Sequence, residues 1–174
     1  MKNLAISFLL FYAYGCLFAQ TPTSTLPCST PEYQQFNFWI GEWDVYQKGK
    51  LVGTNEVKQI LGECVIMENW VGIGPSRGKS FNLYNIQSGE WEQTWVDNVG
   101  GIIRFHGSYA DGIMSMVADG KTQDGSHIAY KLTFWDNENR TVRQLWEAKK
   151  DEGEKWFTLF DGLYKKKSHS KPKN

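Results

Sequence analysis

Four residue pairs join an aromatic ring to a hydrogen-bonding group two positions away: Glu68 with Trp70, Asn82 with Tyr84, Gln93 with Trp95, and Gln144 with Trp146. On an extended chain that spacing puts both members of a pair on one face. Asp97 continues the third face, and Arg104 with His106 makes a further one. Rings that stack, beside a few groups that fix orientation, are what a cavity for a small, partly apolar ligand requires. Two other placements fit the same pattern. The faces can point to solvent, or the tryptophans can fill an interior while the amides bond one another.

Other chemistries find less support. There is no Gly-x-Ser-x-Gly turn for a nucleophilic serine, and no cysteine stands free of a plausible bridge. His106, His127 and His169 are the only imidazoles, and His169 sits in the tail. An enzyme on this chain would use Glu68 or His106 as its acid or base. No His-Glu-x-x-His is present, the cysteine spacing does not suit zinc, and Asp119 to Asp124 lacks the ligand spacing of a calcium loop. No glycine-rich loop precedes a helix to cradle a phosphate, so no metal or cofactor is implied. Glu42 and Asp44 read as a solvated face, and Asn139-Arg140-Thr141 as a glycosylation sequon.

The elements that would position the aromatic–polar pairs are short alternating runs separated by turn residues. They are expected at 43–48, 51–61, 64–73, 77–86, 90–97, 102–110, 113–118, 127–136, 141–148 and 155–164. Asp111-Gly112 is a strong hairpin signal. About ten antiparallel strands joined by short turns, with no crossover helix, close most simply into an all-β, up-and-down barrel. A sandwich is the alternative, and the lack of long connections counts against it.

The first 19 residues are a lone Lys2 followed by an apolar run, too short for a good membrane span, and read as a signal peptide cleaved after Ala19. The alternative is a lipoprotein signal with Cys16 as the lipidated residue. Residues 20–30 form a Thr/Ser/Pro-rich flexible arm, 31–165 the barrel, and 166–174 a basic disordered tail. Cleavage removes one lysine and no acid from a neutral chain, leaving a net charge of about −1. That balance argues against a nucleic-acid-binding surface, which would show a basic stripe. Export to a secreted or periplasmic location makes Cys28 and Cys64 a disulfide candidate. The bridge would tie the arm to a strand and add roughly 4 kcal/mol. Otherwise the two are unpaired small apolar residues.

The stretch Phe36-Asn37-Phe38-Trp39-Ile40-Gly41-Glu42-Trp43-Asp44-Val45 organises the rest. Thr30-Pro31-Glu32 starts a short helix and Gly41 ends it. From Trp43 the apolar period becomes two. A helix running through glycine into a strand that begins with tryptophan can plug one end of a barrel. Gly41-Glu42-Trp43 matches the Gly-x-Trp signature of lipocalin-like barrels. Cys28-Ser29-Thr30-Pro31-Glu32-Tyr33, Glu68-x-Trp70, Ser80-Phe81-Asn82-x-Tyr84, Trp91-x-Gln93-Thr94-Trp95-Val96-Asp97, Arg143-Gln144-x-Trp146-Glu147 and Phe160-Asp161-Gly162 extend the likeness along the chain. The chain thus resembles an exported bacterial domain family of the lipocalin-like (calycin) superfamily. The resemblance implies a ten-stranded barrel akin to nitrobindin and the fatty-acid-binding proteins, and no particular activity. Haem-binding relatives ligate iron through a histidine on a late strand, a residue type that 141–148 and 155–164 lack. The expected function is binding of a small apolar or aromatic ligand by Glu68, Trp70, Asn82, Tyr84, Gln93, Trp95, Gln144 and Trp146. An enzyme on the same barrel, or an envelope protein with a packed interior, are the other readings.

Overall fold

The computed structural model describes residues 27–150 and 155–168. The segments expected to be a signal peptide, most of the arm and the end of the tail, with Cys16 and His169, therefore lie outside the described residues. Ten strands follow a short N-terminal plug: β1 (Gly41–Gln47), β2 (Lys50–Ile60), β3 (Val65–Gly72), β4 (Arg77–Asn85), β5 (Glu90–Asp97), β6 (Ile102–Ala110), β7 (Ile113–Lys121), β8 (His127–Asp136), β9 (Val142–Lys149) and β10 (Phe157–Lys166). Each pairs antiparallel with its sequence neighbours, and β1 closes on β10, so the sheet is an up-and-down barrel with no free edge. Among the described residues no helix is long and apolar enough to cross a membrane.

Two boundaries differ from expectation for a physical reason. β7 continues past Ala118 because Asp119 and Gly120 pair with Ala129 and Ile128 instead of turning. β10 continues into the lysine run because Lys165 and Lys166 pair with Asp44 and Trp43, and the Lys167 N–H bonds to the Glu42 carbonyl. The lysines expected to begin a free tail are thus part of the wall.

The plug comprises helix α1 (Pro31–Gln34) and a 3-10 turn at Asn37–Trp39. Phe36 and Trp39 are fully buried, with ring centres 5.0 Å apart and nearly parallel. Phe36 also meets Trp91 and Phe134 edge-on, and Trp39 packs on Phe134. Burying a ring such as Phe36 contributes roughly 1.5–3 kcal/mol. The indole N–H of Trp43 donates to the Trp39 carbonyl at 2.8 Å, locking plug to β1. Gly41 takes φ +147°, and a side chain there would collide with the Lys166 ammonium. That ammonium donates to the Ile40 carbonyl and lies 3.9 Å from the centre of the Trp43 ring. The Gly-x-Trp spacing thus leaves room for a cation against the tryptophan.

Cys28 and Cys64 form a disulfide. Cys64 sits in the β2–β3 turn, not on a strand: Leu61, Gly62 and Glu63 all have positive φ, and the Cys64 N–H returns to the Leu61 carbonyl. Strand alternation puts this turn at the plug end, with β4–β5, β6–β7 and β8–β9. The β1–β2, β3–β4, β5–β6 and β7–β8 turns surround the opposite, open end.

Candidate functional site

Period two in β4 buries the polar residues and exposes the apolar ones. Ser80 and Asn82 are 0% exposed, whereas Phe81 and Leu83 are 43% and 37% exposed. Buried polar groups are costly unless paired, and the side chains of Ser80 and Asn82 are paired. The Asn82 amide nitrogen donates to the Ile66 carbonyl at 3.0 Å and to Ser80 Oγ at 2.9 Å. A backbone carbonyl can only accept, so it fixes which end of the Asn82 amide is nitrogen. Asn82 Oδ1 must then accept, and it does so from Gln93 Nε2 at 2.6 Å. Ser80 Oγ, already accepting, donates to Glu68 Oε2 at 2.7 Å, and Asn55 Nδ2 donates to Glu68 Oε1 at 2.7 Å. From both sides the donors run towards the Glu68 carboxylate. Asn55 Nδ2 also reaches the Tyr164 hydroxyl at 3.4 Å, which in turn donates to Gln144 Oε1. This polar belt crosses β5, β4, β3, β2, β10 and β9.

Above the belt, on the side away from the plug, lies a cavity of about 200 Å³. Glu68, Gln93, Gln144 and Tyr164 form its polar wall, and Trp70, Trp95, Phe105, Leu132, Trp146 and Phe160 its apolar one. Exposed Ser76 and Leu159 place its rim at the open end. Tyr164 marks the boundary: its ring meets Trp39 and Trp43 edge-on, while its hydroxyl belongs to the belt.

Glycines let the cavity rings lie flat. A Cβ on Gly53 would come within 2.5 Å of the Trp70 ring, and one on Gly78 or Gly162 would overlap the Trp95 or Phe160 ring. A bulge in β10 leaves Leu159 unpaired between Thr158 and Phe160, turning Phe160 inward opposite Trp146.

Burial sets the electrostatics. Desolvation pushes the Glu68 carboxyl up to about 7 from its ordinary 4.5, against the opposing hydrogen bonds of Ser80 and Asn55. Burial, then the nearby Glu68 charge, holds the Tyr164 hydroxyl well above the usual range. Among the described residues no lysine, arginine or histidine lines the cavity.

Of the eight residues singled out from sequence, Glu68, Trp70, Gln93, Trp95, Gln144 and Trp146 converge on the cavity. Asn82 and Tyr84 do not reach it. Asn82 lies within the wall, with its side chain spent on Ile66, Ser80 and Gln93. Tyr84, one step nearer the plug end, packs on Tyr33 and Trp91. Sequence reasoning passed over Asn55, Ser76, Phe105, Leu132, Leu159, Phe160 and Tyr164. The signal for Asn55 was available, since it is a polar residue two positions before Val57 in an alternating run. Leu159 and Phe160 depend on the bulge, which leaves no such trace.

His106 is on the outer wall, 3.4 Å from Glu90, and Arg104 shares that outward face. His127 is likewise exposed, 2.9 Å from Asp119. Neither histidine serves the cavity, so of the two candidate acid–base groups, Glu68 and His106, Glu68 alone lies there. Asp97 accepts the N–H groups of Val99 and Gly101, closing the β5–β6 turn. Among the described residues no cluster of His, Cys, Asp and Glu could hold a metal ion. No protein-family model matches the chain, and no curated protein matches it.

Proposed function

We propose that this chain is an exported lipocalin-like barrel that binds a small, partly apolar ligand in the cavity above the polar belt. The observation that carries this reading is the convergence of six aromatic–polar residues from β3, β5 and β9 on one cavity reaching the open end. The disulfide and the apolar N-terminal run support an extracytoplasmic location, as does the resemblance to exported barrel domains. Size limits the ligand. An apolar cavity of roughly 150 Å³ holds a benzene, and drug-sized pockets run to about 300–1,000 Å³. About 200 Å³ therefore suits a single ring with a short substituent, and neither a long acyl chain nor a porphyrin.

Three tryptophans line the cavity, so occupancy should change indole emission directly. The test is titration of the purified mature protein with a panel of single-ring alcohols, amines and acids, followed by fluorescence and calorimetry. Saturable binding with one site per chain is expected. Absence of binding across the panel at millimolar ligand would refute the proposal.

A further inference from the structure

Within the belt sits a carboxylate with no counter-charge among the described residues. Asn55 and Val57 face Glu68 from β2, Ser80 and Asn82 from β4, and Tyr164 from β10, so among the described residues Tyr164 is the only other titratable group in its surroundings. Every donor whose orientation the Ile66 carbonyl fixes points towards Glu68, which suits the ionised form. Gln93 gives its nitrogen to Asn82, leaving its carbonyl oxygen as a second acceptor in the cavity wall. The remaining lining is largely indole and phenyl, whose faces attract cations. An anionic ligand would meet Glu68 with no basic residue to offset the repulsion. A neutral ligand would leave the buried charge uncompensated.

Resting on the ligand-binding reading above, we propose that the cavity selects a small cationic amine. Its ammonium group sits against Glu68 and Gln93, and its hydrocarbon part lies between Trp70, Trp95 and Trp146. The raised Glu68 titration adds a consequence. Near pH 7 the free protein holds part of a proton on Glu68, which an arriving ammonium displaces to solvent. Amine affinity is then greatest above pH 7. It falls towards tenfold per pH unit below it, while a neutral isostere shows no such fall.

The experiment compares 2-phenylethylamine, 2-phenylethanol and 3-phenylpropionate by calorimetry and tryptophan emission at pH 6 and 8, with wild type and Glu68→Gln. At pH 8 the amine should bind wild type at least tenfold more tightly than the alcohol, and the acid should bind weakest. Glu68→Gln should abolish that preference while retaining the alcohol. As a readout independent of the variant's folding, wild-type titrations at pH 7 in buffers of different ionisation enthalpy should show proton release on amine binding. Equal affinity for amine and alcohol, or amine binding without proton release, would overturn the amine assignment and leave the cavity reading standing. Failure of all three probes to bind overturns both.

Discussion

Replacing Glu68 by Gln should make the barrel more stable at alkaline pH and change how its stability depends on pH. Burial raises the carboxyl from 4.5 to about 7. At about 1.4 kcal/mol per pH unit, that is about 3 kcal/mol of folding free energy. The sign follows from proton linkage. Below pH 4.5 the group is protonated in folded and unfolded chains alike and carries no ionisation cost. Between pH 4.5 and about 7 the unfolded chain ionises while the folded one keeps its proton, so stability falls as pH rises. Above about 7 both are ionised and the full cost is present. The substitution keeps the shape of the side chain and removes the charge. Its new amide oxygen can accept from Ser80, and its new amide nitrogen can donate to Asn55 Oδ1, which has no partner in the wild-type wall, once the Asn55 amide turns over. Urea unfolding of both proteins at several values from pH 4 to pH 8.5 isolates the effect, because the other titrating groups cancel in the difference. The variant should gain about 3 kcal/mol relative to wild type between the two ends, with the change confined to pH 4.5–7. A difference that is flat with pH would refute the buried, uncompensated carboxylate and the amine inference built on it.

Three further perturbations address the frame. Gly78→Ala should push the Trp95 ring off β4, costing roughly 1–3 kcal/mol and altering near-ultraviolet circular dichroism; an unchanged spectrum would contradict the flat ring over Gly78. Removing the Cys28–Cys64 bridge, which spans 36 residues, by the double serine substitution should cost about 4 kcal/mol, read as a lower urea midpoint that reductant no longer affects. Gly41→Ala should cost at least about 1–3 kcal/mol for the positive φ alone and should also displace the Lys166 ammonium from Trp43, visible as a shift in the lysine ε-methylene resonances.

The barrel was legible because its signals are local. Asp111-Gly112, Gly49 and Gly89 mark turns that the structure retains with positive φ, and Trp43 and Val45 alternate into the core as their spacing requires. The plug was legible from Pro31 and the change of period after Gly41. The direction of the polar faces was not. In β4 the interior residues are Ser80 and Asn82, and hydropathy alone would place Phe81 and Leu83 there. Only pairing across strands shows that Ser80 and Asn82 find partners on β3 and β5. Tyr164 escaped because its role depends on meeting Gln144 on the adjacent strand and Asn55 across β1, 109 residues away in sequence. Gly53 and Gly78 looked like ordinary strand glycines, and what they accommodate lies on neighbouring strands.

The two ends of the barrel divide the physical work. At the plug end Phe36, Trp39, Trp43 and Phe134 bury an aromatic core whose ring contacts add to stability. The belt does not add comparable stability: a buried carboxylate held by neutral donors costs folding energy above pH 7, and apolar side chains of similar volume in such positions are often neutral or stabilising. A barrel needing only to fold could have continued the aromatic packing upward from Tyr164. Instead the chain stops it there and lines the next layer with an aligned series of donors ending on Glu68. It then clears space above that layer by setting Trp70 and Trp95 over Gly53 and Gly78. A feature that lowers stability and opens room around a charge is what the proposed ligand would account for. That is the physical ground for proposing ligand recognition at Glu68 and not at the more conspicuous tryptophan motif of the plug.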